Sequence, residues 1–165
     1  MRWILFAALI ACSSGSKQPE PKVGDAPSQA ATHEPAVAGS KVYFATPKGD
    51  VGVDVEVVAT EAKIEKGLMY RQHLSPDAGM LFLLGTEKEW TFWMRNTLIP
   101  LDMIFVRADM TIAGIVENAE PKTDTLRTVG QSSLYVVEVN GGWTRAHSVT
   151  KDEKVRFDKV PNAVQ

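Results

Sequence analysis

Val51, Val53, Val55 and Val57 alternate with Gly52, Asp54 and Glu56, and this period of two fits a strand with one buried and one wetted face, not a helix. Before it, Val42-Tyr43-Phe44 and the turn residues Thr46-Pro47-Lys48-Gly49-Asp50 complete a hairpin. Further runs of strand length and content follow at Met80 to Leu84, Trp90 to Met94, Asp102 to Val106, Thr111 to Val116, Leu134 to Val139 and Lys154 to Phe157. Thr60 is placed to cap a helix over Glu61 to about Tyr70, with Ala62, Ile64, Leu68 and Met69 on its inner side. Gly67 weakens that helix and implies close packing, and a short helical stretch is expected near Trp143. Many short strands with one principal helix predict an α+β domain, a mainly antiparallel, curled β-sheet or small barrel covered by the helix on one side or end.

Ahead of this unit the composition changes. Residues 13–40 hold no aromatic side chain, only Val23 and Val37 as sizeable aliphatics, and four prolines among Ala, Ser and Gly, too little apolar surface to fold. A flexible chain of this length spans about 30 Å. Before it, Met1-Arg2 supplies a positive charge and Trp3 to Ala11 is an unbroken apolar run, the order of a signal peptide. As a helix that run rises only about 14 Å, under half a bilayer's hydrocarbon core, so it is too short to span. Leu9-Ile10-Ala11-Cys12 resembles the lipobox of bacterial lipoproteins, which implies a diacylglyceryl group on Cys12 and anchorage through lipid. Ser13 stands where an Asp marks inner-membrane retention in such lipoproteins, so the resemblance implies the outer membrane. The expected organisation is a signal peptide over 1–11, lipidated Cys12 with a tether over 12–40, one globular domain over 41–160 and a tail over 161–165.

Charge and cysteine content narrow the function. With 18 basic and 20 acidic residues the net charge is −2, and no Lys/Arg block exceeds two, so a phosphate-backbone footprint is missing and nucleic acid is not an expected partner. Cys12 is the single cysteine, which excludes an intrachain disulfide and a multi-cysteine metal site. His33, His73 and His147 are scattered, so no metal and no cofactor are expected. The signatures of nucleophile elbows, P-loops and dinucleotide folds are absent.

The informative residues are polar ones inside core-like strands. Alternation puts Asp102 on the face of Ile104 and Val106, and Glu138 on the face of Leu134 and Val136. A buried carboxylate needs a cation or several N–H donors, and Arg71, Arg95 and Asn96 are candidate partners. Trp93 shares its face with Thr91 and Arg95, whereas Trp90, Phe92 and Met94 take the other and read as core. The pattern predicts a polar cluster beside an indole, suited to a small polar ligand or a sugar ring; ion pairing or hydrogen bonds to a loop backbone explain Asp102 and Glu138 equally well.

Taken in order, Gly67-Leu68-Met69-Tyr70-Arg71, Gly79-Met80-Leu81-Phe82, Phe92-Trp93-Met94-Arg95-Asn96-Thr97, Pro100-Leu101-Asp102 and Val137-Glu138 resemble the domain of unknown function 192 family, from about Val53 to Phe157. The resemblance implies a small, largely β, α+β domain, often exported or lipid-anchored, with no activity to carry over. It places Arg71, Trp93, Met94, Asn96, Asp102 and Glu138 at motif positions. Where that family usually has Gly-Asp before its last strand, this chain has Lys151-Asp152.

Three functions are compatible with these features. The leading expectation is a noncatalytic, envelope-anchored binding module whose pocket draws on Arg71, Trp93, Met94, Arg95, Asn96, Asp102 and Glu138 for a small polar or anionic molecule, saccharide or peptide. The others are a hydrolase acting on envelope polysaccharide with Glu138 and Asp102 as acid and base, and a structural or assembly partner using an exposed aromatic patch.

Overall fold

The structure, a computed structural model, describes residues 39–161. The expected signal peptide, lipidated Cys12, most of the tether and nearly all of the C-terminal tail lie outside the described residues. The element order is β1 Lys41–Thr46, β2 Gly49–Val58, α1 Glu61–Lys66, β3 Ala78–Glu89, β4 Leu101–Val106, β5 Ile112–Ala119, β6 Ser132–Asn140, α2 Trp143–His147 and β7 Val155–Asp158.

One seven-stranded sheet runs in the order β5-β4-β6-β3-β2-β1-β7. All neighbours are antiparallel except β2 and β3, which are joined through α1. The sheet curls until its two edges meet. Ile112 N–H donates to Glu153 O at 3.0 Å, Asp152 N–H to Ile112 O at 2.9 Å and Val155 N–H to Met110 O at 2.8 Å. The result is a half-barrel, as the strand pattern predicts. The Lys151-Asp152 departure leaves this seam intact: Lys151 stands in the place of the glycine, and the positive φ of the turn, 68°, falls on Asp152.

Alternation along the strands sorts the apolar residues into two cores. Val42, Phe44, Val53, Val55, Leu81, Ile104, Ile112, Val137 and Val155 draw on every strand and fill the inside of the curl, closed at one end by Trp143. Met80, Phe82, Leu84, Met103, Phe105 and Val136 project from the outer face and are covered by Ile64, Leu68, Trp90, Phe92, Met94 and Val129. Gly79 sits tight against β6 and the inner core: a Cβ there would lie 2.5 Å from the Glu138 carbonyl oxygen and 3.0 Å from the Val53 side chain.

Two expectations about elements are corrected. The first helix stops at Lys66 instead of running to Tyr70. Gly67 takes φ 44° and ψ −133°, a conformation open to glycine, and its N–H closes back to Lys63 O, so Leu68 enters the outer core from a turn while Ala62 stays exposed. Trp90 to Met94 is not a strand of the sheet; a single bridge joins Phe92 to Arg127. The segment leaves the sheet after Glu89 and lies over its outer face, where large apolar side chains serve as a lid layer and strand pairing is not required.

Candidate functional site

The outer-face layer leaves a cleft of about 210 Å³. Its walls are the end of α1 with the turn after it (Ile64 to Met69), Phe82 and Leu84 of β3, and the Trp90 to Trp93 stretch; Thr97, Leu126 and Glu138 complete the lining. Backbone pairing fixes these irregular pieces. Phe92 and Arg127 exchange hydrogen bonds at 2.9 and 2.7 Å, Met94 N–H reaches Thr123 O at 3.0 Å, and Tyr70 N–H reaches Asn96 O at 2.8 Å. Phe92 is wedged edge-on between Phe82 and Phe105, at 5.4 and 5.8 Å between ring centroids.

Glu138 is the buried carboxyl of this cleft, 5% exposed. In register it lies between Met80 of β3 and Met103 of β4. Among the described residues no hydrogen bond or ion pair reaches its carboxyl group, and burial alone pushes its pKa up to about 8. It is therefore mostly protonated at neutral pH.

Asp102 is on the other side of the sheet. It pairs in register with Val139, whereas Met103 pairs with Glu138, so the two carboxyls point to opposite faces. Asp102 is 0% exposed and accepts four hydrogen bonds: from Asn118 N–H at 2.7 Å, Gly142 N–H at 2.8 Å, Thr144 N–H at 2.9 Å and the Thr144 hydroxyl at 2.6 Å. The Asn118 contact captures the extra residue of a β4–β5 bulge, and the other three hold the start of α2. Asp102 is thus a structural anchor whose lone pairs are taken, and its expected place in a ligand pocket is corrected.

Arg71 finds a carboxylate, but it is Glu56 of β2. The guanidinium is bidentate, with its second N–H at 2.5 Å. Glu56, Met80 and Glu138 follow one another across β2, β3 and β6, so this pair sits two strands, roughly 10 Å, from Glu138. Arg71 ties the loop after α1 to the sheet and does not line the cleft.

The remaining candidates divide. Trp93 lines the cleft with Glu138. Arg95 stacks over Trp93 at 4.3 Å and donates to Asp124 at 2.7 Å, a bond that raises the Arg95 pKa and lowers that of Asp124. Met94 is fully buried in the outer core. Asn96 is an exposed turn residue at φ 57°, its carbonyl holding the Tyr70 N–H. The single polar cluster expected from sequence is therefore three separate arrangements, and the paired carboxylates required for glycoside hydrolysis do not face one site. Among the described residues no group of three or more His, Cys, Asp or Glu is disposed to hold a metal.

Several cleft residues escape the sequence reading. Trp90 and Phe92 read as core because their alternation ignores the space beside them. Leu126, 59% exposed at the cleft, carried a signal: it is an isolated large aliphatic in the polar stretch Pro121 to Thr128.

Residues 44–157 match the family described as DUF192, Uncharacterized ACR. The chain belongs to the DUF192 family. A crystal structure from Sinorhizobium meliloti, described as that of a proposed transcription regulator, is 34% identical with a TM-score of 0.69, covering 72% of this chain and 92% of that one. A protein of unknown function from Novosphingobium aromaticivorans is 37% identical with a TM-score of 0.68, covering 70% and 83%. No functionally curated protein matches. The DUF192 motif residues serve different ends in this fold: Phe92-Trp93 and Glu138 build the cleft, Asn96 turns the chain at its rim, and Asp102 anchors the far end of the curl.

Proposed function

We propose that this DUF192 domain is a noncatalytic binding module, held at the cell envelope through lipidated Cys12, whose outer-face cleft takes a small, largely apolar ligand bearing one polar group. The observation that carries the reading is Glu138, a buried carboxyl that lines the same cleft as Phe82, Leu84 and Trp93 and receives no hydrogen bond or ion pair among the described residues. Desolvating a carboxyl costs free energy, which is why its pKa is pushed up to about 8, and a methionine like its neighbours Met80 and Met103 would avoid that cost. A residue that weakens its own fold in a concave aromatic site is a mark of function. The size suits one ring with a short substituent, since an apolar cavity of roughly 150 Å³ accommodates benzene.

Binding is favoured over catalysis because the cleft offers no second acid, base or nucleophile beside Glu138 apart from Thr91, Thr97 and the exposed Glu65 and Lys66 at its edge. A regulator acting on nucleic acid would need a basic surface, and a net charge of −2 supplies none by composition. The anchor rests on the Leu9-Ile10-Ala11-Cys12 resemblance. No helix among the described residues is long and apolar enough to cross a membrane.

The test is an NMR titration of the full chain with 2-phenylethanol and with phenethylammonium. Shifts concentrated on Trp90, Phe92, Trp93 and Leu126 support the reading, and shifts scattered over the surface or absent reject it. For the anchor, mass spectrometry of the mature chain should find acylated Cys12, and Cys12→Ser should release the domain from membranes; an unmodified Cys12 rejects that part.

A further inference from the structure

The polar group that Glu138 awaits has a chemistry the cleft itself points to. Two indoles flank the cleft, and each already holds a cation of the protein against its ring: Lys88 Nζ lies 4.0 Å from the Trp90 centroid and the Arg95 guanidinium 4.3 Å from that of Trp93. Both rings thus accept a cation on one face, while their edges and bodies line the cleft. Glu138, by contrast, has no counter-charge. Arg71 is committed to Glu56 beyond Met80, Arg95 is committed to Asp124, and Lys66 stays exposed at the edge of the cleft, leaving the Glu138 titration to burial alone.

Resting on the binding reading above, we infer that the cleft selects a small cationic amphiphile, with an ammonium head against the Glu138 carboxylate and an aromatic or short aliphatic body among Phe82, Phe92 and Trp93. A neutral hydrogen bond could come from Gln or Thr, which are easier to bury; a carboxyl adds charge, and charge-assisted hydrogen bonds are roughly twice as strong as neutral ones. Entry of the cation displaces the Glu138 proton to solvent, one proton out for one cation in, while the ligand keeps its own. The charged groups on the surrounding elements are Glu61, Lys63, Glu65 and Lys66 on α1, Glu56 on β2 with Arg71, Glu87, Lys88 and Glu89 on β3, Arg95 with Asp124, and Arg127 in the covering loop. None of them moves the Glu138 titration, which burial alone raises.

The experiment is calorimetry on the full chain with phenethylammonium and its neutral counterpart 2-phenylethanol, in two buffers of different ionisation enthalpy. Phenethylammonium should bind at least about tenfold tighter near pH 8, release about one proton at pH 6–7, and gain about tenfold in affinity per pH step of one below 8, levelling above it. In Glu138→Gln the preference for the ammonium and the proton release should vanish. If 2-phenylethanol binds as tightly as the ammonium with no proton release, the cationic inference is overturned and the binding reading stands. If neither probe binds the wild-type chain, both fall. Should Glu138→Gln fail to fold, the proton count on the wild type decides alone.

Discussion

Asp102 and Glu138 lie on the neighbouring strands β4 and β6, one register step apart, and their carboxyls leave opposite faces of the sheet. One meets four donors and the other meets none among the described residues. Two acidic residues in similar apolar runs therefore do different work, and the difference is set by what covers each face.

Asp102→Ala removes the acceptor shared by the β4–β5 bulge and the start of α2. Leaving several buried donors unpaired should cost about 3 kcal/mol or more. Urea denaturation measures the loss, and wild-type stability in the variant would show that Asp102 is not the anchor described.

Glu138→Met acts in the opposite sense. The new thioether joins Met80 and Met103 in one apolar row, so the variant should be more stable by about 1–3 kcal/mol near neutral pH. It should also lose preference for phenethylammonium. A destabilised Glu138→Met would mean that the carboxyl has a stabilising partner after all.

The pH dependence follows from the raised Glu138 titration. The folded chain keeps the proton up to about 8, whereas the unfolded chain releases it above the ordinary value of 4.5. Stability is therefore unaffected by this group below about pH 4.5, falls as pH rises towards 8, and is level beyond; by pH 7 the loss is up to roughly 3 kcal/mol. Asp109 and Asp124, held low by hydrogen bonds from Thr111 and Arg95, act only in acid and are common to both proteins. Glu138→Gln should thus gain on the wild type between about pH 5 and pH 8 in thermal unfolding. A gap that stays constant contradicts the account.

The contrast between these carboxyls shows what the sequence could convey. Strand alternation at Val51 to Val57 and in the runs from Met80 onward was legible because side-chain period reports burial directly, and it led to the curled α+β sheet. The same alternation placed Asp102 with Ile104 and Glu138 with Val136, so the opposed faces were within reach once the β4–β6 register was known. Register, however, depends on long-range pairing that no local pattern encodes. Arg71, a candidate partner of Asp102 and Glu138 from sequence, pairs with Glu56 instead, a contact across the loop after α1 that strand alternation does not report. Trp90 to Met94 has strand composition, yet it lies over the sheet as a cover.

Arg71→Ala tests that reassignment. The Glu56 pair is about a quarter exposed on each side, so its loss should cost only about 1 kcal/mol, with probe binding unchanged because Arg71 does not line the cleft. Loss of phenethylammonium binding in a folded Arg71→Ala chain would return Arg71 to the site.

Trp93→Ala removes a wall of the cleft and the ring beneath Arg95. Fluorescence or calorimetric titration should show about tenfold weaker binding of both probes, in line with roughly 1–2 kcal/mol for an aromatic contact. Unchanged affinity in this variant would place the ligand elsewhere.

The central claim is an uncompensated carboxyl facing an aromatic cleft, and carboxyl-carbon NMR of glutamate-labelled full chain reads it directly. One resonance, missing in Glu138→Gln, should titrate near 8 in the free protein and move to lower pH when phenethylammonium is added. A Glu138 resonance titrating near the ordinary 4.5, and indifferent to the ammonium, would contradict the account.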